Sequence, residues 1–350
     1  MRLAELTTMR VGGPIGHLVV AETTQELIRA VQEVDRAGEP LLVLSGGSNL
    51  LVSDEGFPGT VVRVATSGVT VESEDACSGA TVRVAAGENW DQLVIRAVES
   101  GWSGIEALSG IPGLVGSTPI QNVGAYGQEV AQTIAQVRVW DRHQNQVRTL
   151  ANSECQFTYR HSLFKANPRY LVLEVVFQFP LADRSQPIGY ADLAAGLGVE
   201  LGARVPLAQA REAVLAQRRR RGMVLDSSDH DTWSCGSFFT NPVLSQEQWV
   251  QLERQVADRL GPEVRPPVYP AADGTVKTSA AWLIERAGFG KGFGLPGPVA
   301  LSTKHTLAVT NRGTATAADV LALARVVRDG VRAAFEVSLV NEPVLVGLEL

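Results

Sequence analysis

The stretch from Ser109 to Gly127 constrains this chain more than any other. Gly110, Gly113, Gly116, Gly124 and Gly127 interrupt the apolar residues Ile111, Leu114, Val115 and Ile120. So many glycines preclude a stable helix. Nineteen residues are also too many for an idle connection, so the segment reads as a functional loop on a scaffold. The chain of 350 residues carries 34 glycines with no collagen-like period. That surplus points to tight turns and to places where backbone approaches a ligand.

The scaffold is mixed. Thr23 and Glu26 form a capping box ahead of the stripe Leu27, Ala30, Val31 and Val34, with Gly38 as the stop. Pro40 leads into Leu41-Leu42-Val43-Leu44, a buried strand. Val61–Val64, Thr81–Ala86 and Val137–Trp140 read as further strands, and Asn89 opens a helix that ends near Gly101. Tyr170–Phe179 is the strongest strand signal in the chain. Residues 181–204 read as loop, and Pro206 opens a helix that runs to Arg218–Arg221. Beyond it, helices are predicted from Gln246 (boxed by Ser245 and Gln248), around Ser279–Ala287, and over Ala317–Phe335 behind Thr316 and Asp319, with a strand at Leu307–Val309. The pattern describes an α+β half followed by a smaller α/β half, with the boundary near 205–220.

Composition excludes several classes. Lys and Arg total 31 against 37 Asp and Glu, a net charge of −6, which is no nucleic-acid footprint. The first arginines of the run Arg218–Arg221 read as the solvated end of a helix. The cysteines Cys77, Cys155 and Cys235 are too few and too widely spaced for a disulfide framework or a zinc site, so no metal is expected. No window approaches a membrane span, and the start lacks a signal peptide, so a cytoplasmic enzyme is expected. No heptad pattern calls for an oligomer, and a monomer is the expectation.

Ser45-Gly46-Gly47-Ser48-Asn49 follows directly on the strand Leu41–Leu44. Small residues there let successive N–H groups turn inward as an anion nest, although a plain turn has the same composition. Gly288 to Gly294 is no dinucleotide fingerprint, because it follows a helix instead of a strand. Taken alone, Ser237 reads as a turn serine and Arg160 equally as a surface arginine. Glu342, in an otherwise apolar tail, stands out as a lone carboxylate. Cys235, near Ser237, could be a nucleophile, but nothing in the sequence argues a low-pKa environment for it. His143 and His161 read as surface or structural.

Several blocks together resemble the UDP-N-acetylenolpyruvoylglucosamine reductase (MurB) family over essentially the whole chain. They are Gly12-Gly13, the Ser45–Asn49 nest, the 109–127 loop, Tyr159-Arg160-His161-Ser162-Leu163-Phe164-Lys165, Gly236-Ser237-Phe238-Phe239-Thr240-Asn241-Pro242, Ala281-Trp282-Leu283-Ile284 and Asn341-Glu342-Pro343. Gly189-Tyr190-Ala191-Asp192-Leu193 is similar to the tyrosine loop of one of that family's two subtypes. The resemblance implies an FAD-binding half of the vanillyl-alcohol-oxidase/PCMH type over residues 1–205, made of two α+β subdomains split near 65–70. A C-terminal substrate-binding α/β domain would span 206–350, its last segment returning to the active site.

It further implies NADPH-dependent, FAD-mediated reduction of UDP-N-acetylglucosamine enolpyruvate to UDP-N-acetylmuramate for bacterial peptidoglycan, with small-molecule partners only. Ser237, Arg160 and Glu342 would be catalytic. Ser45, Gly46, Gly47, Ser48, Asn49, Ile111, Pro112, Gly113, Gly116, Ser117, Gln121, Asn122, Gly124, Ala125 and Tyr126 would hold FAD without a covalent bond. Tyr159, Tyr190, Arg221, Asn241, Lys277 and His305 would contact substrate. Arg221 stands where the family usually has lysine. The competing reading is a flavoprotein oxidase on the same FAD-binding fold. Against it, residues 42–55 contain no histidine or cysteine that would tether a flavin.

Overall fold

The computed structural model describes residues 1–271 and 274–350. Contacts divide the chain into two compact units, one of residues 15–47 and 58–224, the other of residues 1–14, 48–57 and 225–350.

In the first unit, α1 (Thr24–Ala37) begins with the capping box read from sequence: Thr23 Oγ1 accepts from Glu26 N at 3.2 Å, and Glu26 accepts from Thr23 N. Gly38 ends it in the left-handed region at φ +66°. The strands Ile15–Ala21, Phe57–Val64 and Leu41–Leu44 form a three-stranded sheet in that order, the last two parallel. The chain then passes to an antiparallel five-stranded sheet. Its order is Gln146–Ala151, Ile134–Asp141, Tyr170–Phe179, Gly79–Ala85 and Val69–Asp75. Tyr170–Phe179 occupies the centre, which explains its nearly continuous apolar run: both faces are covered. α2 (Trp90–Glu99) lies behind the cap of Asn89, whose Oδ1 accepts from Gln92 N. It packs Trp90 against Phe177 of that strand at 6.2 Å between ring centroids.

Asp141, at the end of an inner strand, has a fully buried side chain. Arg169 grips both its oxygens at 2.9 and 2.6 Å, Arg148 reaches it at 3.3 Å, and His143 N and Gln144 N donate to it. The Arg169 hydrogen bonds hold its carboxyl far below the usual carboxylate range. Arg169→Met therefore leaves a buried charge underpaired and is expected to destabilise the protein by about 3 kcal/mol at neutral pH. Because the folded-state value is depressed, the stabilisation is complete above the ordinary Asp range near pH ~4 and fades as pH falls below it. Denaturant melts of both proteins from pH 7 to acid check this: the gap narrows on acidification, and a constant gap refutes the assignment.

Residues 181–204 depart from the expected loop. They contain α3 (Ala191–Leu197), closed by Gly198 at φ +68°. Three glycines obscure the helix in sequence, but Leu193 and Ala194 are buried in a small cluster with Ile188, Ala210 and Val214. α4 (Leu207–Arg220) thus belongs to the first unit. The contact boundary falls at 224/225, whereas the sequence reading cuts at 205/206.

In the second unit, α5 (Gln246–Leu260), α6 (Ala280–Arg286) and α7 (Ala317–Phe335) start at Ser245, Ser279 and Thr316, each side chain capping the third N–H that follows. Their apolar faces share a core with Phe238, Phe239 and Leu51. The strand expected at Leu307–Val309 runs instead over Val309–Asn311, paired with Val299–Leu301. Leu307 is withheld because its carbonyl accepts from Phe238 N at 2.7 Å. The terminal strand Val344–Val346 lies parallel to Leu50–Val52, almost three hundred residues earlier.

Candidate active site

In the first unit, the turn after Leu44 meets the glycine-rich loop. A Cβ on Gly46 would lie 2.6 Å from Gly113 Cα and 3.1 Å from its carbonyl carbon. Gly116 is as close to its neighbour, a Cβ there lying 2.5 Å from Ala86 Cβ. The loop is tied down by main chain: Trp90 N donates to Gly113 O, Val115 N to Glu88 O and Gly116 N to Ala86 O. Beside this junction lies a cavity of about 210 Å³, lined among others by Val43, Ser45, Gly116, Ile120 and Tyr170. Ser45 Oγ is buried without a hydrogen-bond partner. A buried hydroxyl is seldom left so unless a ligand completes it. An apolar cavity, a closely approached glycine backbone and a waiting donor fit a flat, phosphate-bearing cofactor.

The far end of the loop is strained. Asn122, Tyr126 and Arg160 all have φ near +50°, which costs non-glycine residues about 1–3 kcal/mol each. Such strain gathers where geometry serves a site. Asn122 Nδ2 donates to Glu129 Oε2 and Thr158 O, and its Oδ1 accepts from Ala131 N. The Asn122 amide thereby joins the loop to the Tyr159–Arg160 turn. Arg160 Nη2 donates to Gly124 O at 2.7 Å, and its guanidinium carbon lies 5.3 Å from the Tyr159 ring centre. Lys165 Nζ donates to Arg160 O at 3.0 Å, holding the left-handed turn from outside. No sequence signal marked that role for Lys165.

Two further groups escaped the sequence reading. Asp91 accepts a bidentate pair from Arg211 at 2.7 and 2.8 Å and the N–H of Gly110 at 2.6 Å, which fixes the start of the loop. Burial works to raise its carboxyl, but these donors outweigh it and the net shift is downward. Arg218, read from sequence as solvated, is the other. Its Nε is buried without a partner, and its Nη2 donates to Met223 O at 2.7 Å. Burial lowers it to about 10, against the opposing pull of Tyr126 and Asp91. Gly110 leaves room for Leu215 and Val224, a Cβ there coming within 2.7 Å of Leu215 Cδ2 and 3.2 Å of Val224 Cγ2, with Arg218 Nε in contact at 3.6 Å.

The second unit assembles the other candidates by backbone pairing. Phe238 N donates to Leu307 O, and Glu342 N donates to Phe238 O at 2.9 Å. Ser237 therefore precedes a residue bonded to both the His305–Leu307 segment and Glu342. Asn49 Nδ2 donates to Glu342 O at 3.3 Å, tying the end of the expected nest to the terminal segment. Asn241 Oδ1 caps α6 through Ala280 N, and Lys277 pairs with Val243 in the adjoining hairpin. Cys235 is buried, its Sγ directed at Leu50 O, and burial pushes its thiol up to about 12. A thiol so disfavoured from ionising is no nucleophile at neutral pH. Among the described residues, no three His, Cys, Asp or Glu cluster as metal ligands. No described helix is long and apolar enough to cross a membrane.

One unit carries the Ser45–Gly47 turn, the glycine-rich loop and the apolar cavity of a cofactor-binding domain; in the other, Glu342 pairs through its backbone with Phe238, next to Ser237. Residues 15–150 match the family "FAD binding domain", and residues 227–346 match "UDP-N-acetylenolpyruvoylglucosamine reductase, C-terminal domain". Curated proteins named UDP-N-acetylenolpyruvoylglucosamine reductase are similar along the whole length. That of Thermobifida fusca is 57% identical over 99% of this chain and 97% of its own. That of Streptomyces avermitilis is 56% identical over 99% and 94%. The crystal structure of the Thermus caldophilus UDP-N-acetylenolpyruvylglucosamine reductase (MurB) superposes with a TM-score of 0.66 at 27% identity, covering 99% of this chain and 97% of that one. The chain belongs to the UDP-N-acetylenolpyruvoylglucosamine reductase family.

Proposed function

We propose that the chain reduces UDP-N-acetylglucosamine enolpyruvate to UDP-N-acetylmuramate, with NADPH as reductant and FAD held without a covalent bond, in bacterial peptidoglycan precursor synthesis. The observation that supports this is the bond from Glu342 N to Phe238 O, which joins the backbone of the terminal segment to the residue after Ser237. The terminal segment is thus built into the wall that bears the serine. We propose further that the protein works as a cytoplasmic monomer and, on its Tyr190 loop, belongs to the subtype that carries such a loop.

When bound, FAD supplies hydride transfer, which no side chain can. Ser45, Gly46, Gly47, Ser48 and Asn49, with Ile111, Pro112, Gly113, Gly116, Ser117, Gln121, Asn122, Gly124, Ala125 and Tyr126, are the residues that would hold it. Hydride addition to the enolpyruvyl group builds negative charge on its carboxylate. Arg160 is suited to that charge because a guanidinium forks onto a carboxylate, and the Gly124 carbonyl and Lys165 brace it. Ser237 delivers the proton to C2, with Glu342 assisting through a shared proton. Tyr190, Arg221, Asn241, Lys277, His305 and Tyr159 orient the sugar nucleotide.

The test is a visible spectrum. Purified protein shows flavin bands that NADPH bleaches anaerobically and that the enolpyruvyl substrate restores, and acid precipitation releases the colour into solution. Bands restored only by oxygen support the oxidase reading instead, and colour retained in the pellet refutes non-covalent binding.

Ser45 gives a finer check. Its hydroxyl has no partner in the protein, so Ser45→Ala is expected to leave the flavin-free protein as stable as before. Flavin affinity falls about five- to tenfold, the value of one hydrogen bond. Loss of apoprotein stability with unchanged flavin binding contradicts the assignment.

A further inference from the structure

Glu129 brings a carboxylate to the side of Arg160. The short strands Gly124–Ala125 and Gln128–Glu129 pair antiparallel, with Gly124 opposite Glu129. Gly124 has no side chain, and two neighbours use the room. A Cβ there would lie 2.9 Å from Glu129 Cγ and 3.0 Å from Arg160 Nη1. Glu129 Cγ and Arg160 Nη1 are therefore within about 6 Å of each other, a range over which opposite charges act strongly. The carboxylate is itself held in place. Its Oε2 accepts from Asn122 Nδ2 at 2.8 Å, and the same amide donates to Thr158 O at 3.1 Å, where the Arg160 turn begins. Glu129 N donates to Gln132 Oε1 at 3.1 Å, which fixes its backbone. Thr158 and His161 close the turn, each N–H donating to the other's carbonyl. One amide thus ties the carboxylate and the arginine turn into a single frame.

We propose that Glu129 is a positioning residue whose negative charge fixes the Arg160 guanidinium against Gly124, in the orientation that serves reduction of the enolpyruvyl group. The inference rests on the reading of Arg160 as the group that meets the substrate carboxylate. Arg160 Nη2 donates to Gly124 O, but a single neutral carbonyl holds a long charged side chain less firmly than a carboxylate does. Glu129 supplies that charge on the Nη1 side. Its repulsion of the substrate carboxylate acts alike on the bound substrate and on the transition state, because the carboxylate is charged in both, and so it cancels from the rate at saturation. Orientation does not cancel. A guanidinium free to turn follows the bound substrate, yet stands out of place when further charge develops.

Glu129→Gln is the test, because glutamine keeps the size and the acceptor for Asn122 and removes only the charge. Flavin content, melting temperature and bleaching by NADPH are expected to match the parent. In stopped flow, return of the colour at saturating enolpyruvyl substrate slows about tenfold, while the half-saturating concentration does not rise. A role confined to accepting from Asn122 requires no change with glutamine, so colour returning at the parent rate overturns the proposal. A raised half-saturating concentration at the parent maximal rate overturns it as well, as does a loss of flavin or of stability. Arg160→Lys separates the proposal from the reading beneath it. That variant slows colour return by itself, and adding Glu129→Gln is expected to change little more, because both act through one contact. Losses that multiply independently overturn the positioning role and leave Arg160 in place, whereas Arg160→Lys at the parent rate overturns both.

Discussion

Ser237→Ala is expected to separate two half-reactions that the parent protein performs in sequence. Bleaching of the flavin colour by NADPH continues at nearly the original rate. Return of the colour with the enolpyruvyl substrate slows by about a hundred- to ten-thousand-fold, the usual weight of a positioned general acid. That corresponds to roughly 3–5 kcal/mol of barrier. The reason is positional. Gly236 has φ +75° and nothing within 4 Å of where a Cβ would stand, so the Ser237 turn is open on that side. Phe238 and Phe239, in contrast, are fully buried and anchor the turn, Phe239 also bridging to Asn341. Removing one oxygen from a turn anchored by its neighbours leaves the fold intact, so the loss falls on proton delivery. Ser237→Cys retains part of the activity, since a thiol also donates. Stopped-flow absorbance resolves the two phases; an alanine variant that regains its colour at the parent rate removes Ser237 from the mechanism.

Gly46→Val is expected to weaken retention of FAD through purification, with affinity lowered by about five- to a hundredfold. A Cβ at position 46 meets Gly113 Cα at 2.6 Å, Gly113 C at 3.1 Å and Leu114 N at 3.3 Å, all backbone atoms that cannot rotate away. The Gly113–Gly116 segment is held in turn by N–H bonds to and from Ala86, Glu88 and Trp90, so it cannot yield without disturbing the start of α2. Overpacking of this kind costs about 1–3 kcal/mol and is relieved by parting the two loops that form the candidate cofactor site. The measurement is flavin released by acid per mole of protein, beside the melting temperature of the flavin-free form. A variant that keeps its flavin places the cofactor away from this junction.

The signals legible in the sequence were those whose physics is local. Thr23 with Glu26, Ser245 with Gln248 and Thr316 with Asp319 each marked a helix start because a cap is made within four residues. Tyr170–Phe179 declared itself because a strand covered on both faces must be apolar nearly throughout. The glycines of 109–127 announced a close approach of backbone, although not what they approach. The family was legible as well, through motifs each confined to a short block.

Tertiary structure decided whatever depends on partners distant in the chain. α3 forms among glycines because Leu193 and Ala194 find α4, and no local preference predicted it. Arg218 looks solvated in a run of four arginines, yet the fold buries its Nε. The Asn122 amide closes a junction with Glu129 and Thr158 that no local pattern marks. The pairing of Glu342 with Phe238, and of Val344–Val346 with Leu50–Val52, joins segments separated by about a hundred to three hundred residues. A backbone hydrogen bond is the same whatever side chains flank it, so sequence identifies the candidate residues but not which of them the fold sets side by side.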